Sequence, residues 1–145
     1  MPIPPPCYLE PTQTNGRRFV RREFVGNLVM LNLLRFREIA DYTAHPELAP
    51  PSPISGSSAF DCYIRHTLPI LRATGGDLIF LGTGGSFLIG PEDEHWDSVM
   101  LVRQQSVAAF LDFAENQAYL AGLGHRTAAL QDSRLLPLDE RALAV

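Results

Sequence analysis

The chain has 145 residues, 46% hydrophobic and 19% charged, with a mean hydropathy at zero, which is the make-up of an ordinary soluble domain long enough to bury a core without staples. Its net charge of -4 leaves no basic footprint for nucleic acid, and its longest apolar runs, Leu28–Leu34 and Leu78–Leu81, are too short to span a bilayer, so no membrane partner is expected. The start, Met1–Pro6, has neither the basic region nor the apolar core of a secretion signal; Cys7 and Cys62 belong to no CxxC motif, so a cytoplasmic protein with two reduced thiols is expected.

Residues 1–26 read as an extension. The prolines of Pro2–Pro6 dictate an extended start. Thr12–Val25 then carries Arg17, Arg18, Arg21 and Arg22 beside Phe19, Phe24 and Val25, the pattern of a short amphipathic helix interrupted near Gly16, with the arginines as a solvated face. Residues 27–139 form the expected domain, and 140–145 a tail. The first strand lies at Leu28–Phe36. A half-exposed strand alternates, yet Leu28-Val29-Met30-Leu31-Asn32-Leu33-Leu34 is apolar on both faces, so both faces should be covered. A long connection, 37–58, follows; its length suits a lid, arm or binding loop.

Helix-period spacing of Phe60, Tyr63, Ile64, Thr67, Leu68 and Leu71 predicts a helix over about Ala59–Thr74, capped by Ser57 or Ser58, bent at Pro69 and stopped by Gly75-Gly76. Leu78–Leu81 is the second strand, with Gly82-Thr83-Gly84-Gly85 after it, and Asp97–Gln104 is the third. Ser106 caps a second helix, striped by Val107, Phe110, Leu111, Ala114 and Ala118 and closed by Gly122 and Gly124; His125–Gln131 adds a short helical turn. Arg134–Leu138 is the last strand, an edge because Pro137 cannot donate to a ladder. The order βαββαβ predicts an α+β, ferredoxin-like antiparallel sheet with both helices on one face. The other face then needs a partner, most economically the same sheet of a second subunit.

Gly82–Gly85 precedes a strand rather than a helix N-terminus, so it reads as a bulge or hairpin and not a phosphate cradle. His45, His66, His95 and His125 show no i,i+4 or HxH spacing, and Glu92, Asp93 and Glu94 sit in a turn; neither a metal nor a cofactor is expected. Tyr63 and His66 lie at one edge of the helix stripe, where a phenol and an imidazole would meet Asn32 from the facing strand. Asn32, Tyr63 and His66 are therefore the candidate catalytic set for polarising a carbonyl or moving a proton, and equally suit a structural hydrogen-bond network. Arg35, Arg126 and Arg134 are candidate clamps for a carboxylate ligand, with Trp96 as a candidate platform; charge near a helix end and aromatic packing are the structural alternatives.

Taken together, Tyr63 and Pro69 on a helix ending in Gly75-Gly76, Gly90-Pro91, Trp96-Asp97, Ser106, Tyr119, His125-Arg126 through Leu135, and the Met30–Leu34 strand resemble the bacterial family called domain of unknown function 1330, over about Asn27–Leu138. That family belongs to the dimeric α/β-barrel superfamily, so the resemblance implies a homodimer joined through stacked sheet faces. The superfamily holds cofactor-free monooxygenases, muconolactone-type isomerases, haem-degrading enzymes and non-catalytic binders. The expected function is binding of a small organic, potentially anionic, ligand in a helix–sheet pocket. A cofactor-independent oxygenase or isomerase is the first alternative, and a structural or interaction module the second.

Overall fold

The computed structural model describes residues 6–144; of the proline-rich start, only Pro6 falls within them. The elements are α1 (Gln13–Arg21), β1 (Leu28–Phe36), a 3₁₀ turn (Pro46–Leu48), α2 (Gly56–Ala73), β2 (Asp77–Ser86), β3 (His95–Gln104), α3 (Val107–Glu115), α4 (Gln117–Ala129) and β4 (Leu130–Asp139). All strand pairs are antiparallel, in the spatial order β2-β3-β1-β4. This is the ferredoxin-like α+β fold expected from the order of elements. Among the described residues no helix is long and apolar enough to cross a membrane.

β1 sits centrally because both of its faces are apolar. Leu28, Met30, Asn32 and Leu34 are buried toward the helices, and Leu34 and Met100 pack with Phe60 and Tyr63 of α2 and with Ala129. Directly paired residues share a face, so Leu31 stands with Leu101 and Leu136 on the opposite side, and Leu33 with Val99. Phe80, paired with Leu101, extends this second apolar face. Phe80 is 51% and Leu136 53% exposed.

Several boundaries differ from the sequence reading. α2 starts earlier because Ser55, not Ser57 or Ser58, is its N-cap and accepts from the Ser58 N–H; Gly56 behind it lies so close to the Arg37 and Ala129 carbonyls that a Cβ would collide. Gly75, at φ +89, ends the helix as expected. β2 runs straight through Gly82–Gly85, since β3 pairs with it along that length. The expected second helix is two helices. Asn116 leaves the helical path at ψ 126, and its side chain caps α4 by accepting from the Tyr119 N–H. Gly122 and Gly124 do not close a helix; they are interior notches of α4 that receive the His66 ring and the His45 and Leu48 side chains. α1 passes through Gly16 without interruption. β4 begins at Leu130 rather than Arg134 and lies at the sheet edge.

The N-terminal extension follows that edge. At one end the Asp132 carboxylate accepts from Tyr8 N–H (2.8 Å) and the Ser133 hydroxyl donates to the Tyr8 carbonyl. At the other, the Asp139 carboxylate accepts from Val25 and Gly26 N–H (2.9 and 2.7 Å), and Arg22 donates to the Pro137 carbonyl. Between them Phe19 of α1 meets Phe110 of α3 edge-on, centroids 5.6 Å apart.

Burial pushes the Asp132 carboxyl up, but hydrogen bonds from Tyr8 N–H, Arg134 and Ser133 N–H outweigh it and hold its pKa below the ordinary value. Asp139 is held low by the Val25 and Gly26 amides. A folded pKa below the unfolded one contributes stability that is present above about pH 4 and lost as pH falls through the folded value. Thermal melts from pH 6 to pH 2.5 should therefore show stability falling chiefly below pH 4, with early protease cleavage in residues 6–26. Asp132→Asn should start from a lower melting temperature and lose less on acidification; a variant as acid-sensitive as the wild type would contradict the assignment to Asp132.

Candidate functional site

Between the helices and the sheet lies a cavity of about 290 Å³. Its floor is Met30 and Asn32 of β1 with Met100 and Val102 of β3. Tyr63, Thr67 and Leu71 of α2 form one wall, Tyr119, Leu123 and Arg126 of α4 another; Phe110 and Phe113 of α3 roof it, and Leu9, Glu10 and Pro11 of the extension complete the rim. A second hollow of about 540 Å³ lies beside α2 and Gly82–Gly85. That one mixes the Gly82, Gly84 and Gly85 backbone and the Asp61 and Asp97 side chains with apolar Phe36, Phe60, Ile64 and Leu81, whereas the first sets a few convergent polar groups in a mostly apolar wall, the usual form of a small-molecule site.

The polar groups of the first cavity are neutral apart from Arg126 and Glu10. Tyr63 and Tyr119 hydroxyls are 2.9 Å apart. Two phenols hold two protons and share one hydrogen bond, so one O–H remains to donate elsewhere. Burial, then the adjacent Tyr119 phenol, raises the Tyr63 pKa well above that of an ordinary phenol, against smaller opposing effects of Arg126 and Thr67. Tyr63 is thus a neutral hydrogen-bonding group at physiological pH. The Asn32 amide is buried and donates to the Met30 carbonyl at 3.2 Å. Gln104 Oε1 is buried with no hydrogen-bond partner among the described residues.

Of the expected catalytic set, the cavity collects Asn32 and Tyr63 but not His66. Three residues beyond Tyr63, a side chain is turned by ~60° about the helix axis, which directs His66 at α4. There its ring fills the notch at Gly122, and Nε2 donates to the Ala118 carbonyl at 2.6 Å. Of the expected ligand-binding set, only Arg126 lines the cavity; it donates from Nη1 to the Leu9 carbonyl (2.9 Å) and from Nη2 to the Ser133 hydroxyl (3.3 Å).

Arg35, Trp96 and Arg134 form a cluster elsewhere. The guanidiniums of Arg35 and Arg134 lie 4.4 and 5.0 Å from the Trp96 ring centroid, and both pair with Asp132, at 3.4 and 2.7 Å. Trp96 is only 3% exposed, which makes it packing rather than a platform. Tyr119, Thr67 and Gln104 also line the cavity, although none of them is among the site candidates from sequence. Thr67 was within reach, one helical turn beyond Tyr63 and on the same face. The contribution of Leu9–Pro11 carries no sequence signal, since nothing local ties that segment to a pocket whose other lining residues run from Met30 to Leu135.

The chain matches no protein-family model and none of the curated proteins; of the resemblance to domain of unknown function 1330, the ferredoxin-like fold is the part supported. Solved structures are more informative. The crystal structure of methylated RPA0582 protein is 34% identical, covering 94% of this chain and 96% of that one, with a TM-score of 0.81. A second structure of RPA0582, a protein of unknown function from Rhodopseudomonas palustris, is 33% identical over 95% of this chain and 100% of that one, with a TM-score of 0.80. An uncharacterised NIPSNAP domain protein from Burkholderia xenovorans, 14% identical over 81% of this chain and 98% of its own, has a TM-score of 0.50 and shares the fold alone. The extent of the first two matches, in sequence and in structure, places this chain in the same family as the RPA0582 protein.

Proposed function

We propose that the chain is a homodimer holding one small, largely apolar organic molecule in the helix–sheet cavity of each subunit. The observation that carries the binding reading is the cavity's make-up: an apolar enclosure of about 290 Å³, near the lower end of the ~300–1,000 Å³ common for such sites, lined by the buried Tyr63 phenol, its half-buried partner Tyr119 and the Asn32 amide. Gln104 Oε1, buried with no hydrogen-bond partner among the described residues, supports it further. A buried polar group left unpaired costs about 1–3 kcal/mol, and a ligand's polar group offsets that cost. The cavity also weighs against a purely structural module.

The dimer reading rests on the second face of the sheet. Leu31, Leu33, Val99, Leu101, Phe80 and Leu136 form a contiguous apolar surface with two of its members half exposed, and apolar patches of this kind are usual at subunit contacts. A neutral phenol beside an amide also suits polarising a carbonyl. A cofactor-independent isomerase or oxygenase is accordingly the second reading, with Tyr63 in place of His66 as the proton-bearing group.

Three outcomes are expected. N-phenyl-1-naphthylamine should brighten on binding the protein at micromolar concentration, and Ala114→Trp, which fills the cavity from half-buried α3, should abolish this while leaving the fold intact; no enhancement in the wild type, together with no melting-temperature rise from any small apolar compound, would remove the binding reading. Tyr63→Phe keeps the ring but leaves Tyr119 without its partner, so it should destabilise the fold by about 1 kcal/mol and weaken carbonyl-bearing ligands about tenfold relative to plain hydrocarbons. Sedimentation should give a dimer for the wild type and a monomer for Phe80→Glu/Leu136→Glu; a wild-type monomer at tens of micromolar would refute the sheet-face contact.

A further inference from the structure

Four arginines of the fold have carboxylate partners: Arg35 and Arg134 pair with Asp132, Arg72 with Asp77 and Arg103 with Glu140. Arg126, the arginine at the cavity, is not among them. It is half-buried and lines the cavity, yet its acceptors are neutral, the Leu9 carbonyl and the Ser133 hydroxyl, and it forms no ion pair with any described residue. Glu10, the one carboxylate on the rim, is exposed and makes no ion pair with it. A cation drawn partway out of water and compensated only by neutral dipoles lacks the Coulombic partner that normally repays its desolvation.

Building on the reading of the cavity as a ligand site, we infer that its ligand is a small monocarboxylate, with the carboxylate received by Arg126 beside the Tyr63–Tyr119 phenols and an aliphatic or aromatic body under Phe110 and Phe113. The chemistry is complementary on both sides. A guanidinium has five N–H donors, and two of those on Arg126 hold Leu9 and Ser133, so others remain for a carboxylate without releasing the extension. The free O–H of the phenol pair supplies a further donor. Arg126 from α4 and Tyr63 from α2 both line the same cavity. Apart from the exposed Glu10 at the rim, the remaining wall, Met30, Leu71, Met100 and Val102 among others, carries no second charge and suits an apolar body.

The test compares octanoate with 1-octanol, and benzoate with benzyl alcohol, by NMR titration of the full chain, reading the methyl signals of Met30 and Met100 for occupancy and the Arg126 Nε–H signal for the charged contact. The carboxylates should bind about tenfold more tightly than the alcohols and alone shift the Arg126 signal, and Arg126→Gln should bring octanoate down to the affinity of 1-octanol. Equal affinities in the wild type, or a carboxylate preference that leaves the Arg126 signal unmoved, would overturn the carboxylate inference while leaving the cavity reading intact. Methyl signals unmoved by any of the four compounds would sink both. Should Arg126→Gln fail to fold, the wild-type comparison and the Arg126 signal decide the matter alone.

Discussion

The break at Asn116 is the constraint on which the architecture of the cavity depends. An unbroken helix from Val107 to Ala129 would have to lie along a single axis, packed on α2 throughout or away from it throughout. With Asn116 ending one helix and capping the next, α4 packs against α2 while α3 roofs the space beside it. Phe113 and Tyr119 flank the break with ring centroids 4.4 Å apart, and Tyr119 reaches from there to the Tyr63 hydroxyl. The cap is worth on the order of 1 kcal/mol by itself; its larger consequence is directional, because it fixes where the phenol pair forms.

The extension solves a second problem. β4 is an edge strand, and an edge left open invites pairing with other chains. Here the segment containing Tyr8 and the segment approaching β1 are tied to opposite ends of β4 by Asp132 and Asp139, and Arg22 covers the Pro137 carbonyl. The same path brings Leu9, Glu10 and Pro11 to the cavity rim. Edge protection and pocket closure are therefore properties of one segment, and Arg126 joins them by holding Leu9 while facing the cavity.

The fold was legible because its signals are local and periodic: the two-faced β1, the stripe of α2 and the cap at Ser106 each follow from a few neighbouring residues. Where the reading failed, a tertiary contact overrode a local preference. Gly122 and Gly124 look like helix stops, yet they lie inside α4 because His66 and His45 need the space a Cβ would occupy. The glycines of β2 read as a bulge or hairpin, but pairing with β3 holds them in a continuous strand. The site was legible only in part. Asn32 and Tyr63 lie on elements whose facing sides the hydrophobic pattern defines, whereas His66 sits at a stripe edge, where a rotation of ~60° decides between cavity and helix interface. Arg35, Arg134 and Trp96 were separated from Arg126 by β4 pairing that begins at Leu130, earlier than Pro137 and its neighbours suggested.

The register of β1 links the two surfaces on which the proposed function rests. Its even-numbered residues, Met30 and Asn32, floor the cavity, and its odd-numbered ones, Leu31 and Leu33, stand on the opposite face. Side-chain direction alternates strictly along a strand, so a slip of one residue would carry Asn32 out of the cavity and expose the core at once. Leu34 and Met100 in the core make that slip costly. Whatever covers Leu31 and Leu33 also bears on the peptide units flanking Asn32. The strand that floors the cavity and the strand that carries the outer apolar face are thus one and the same.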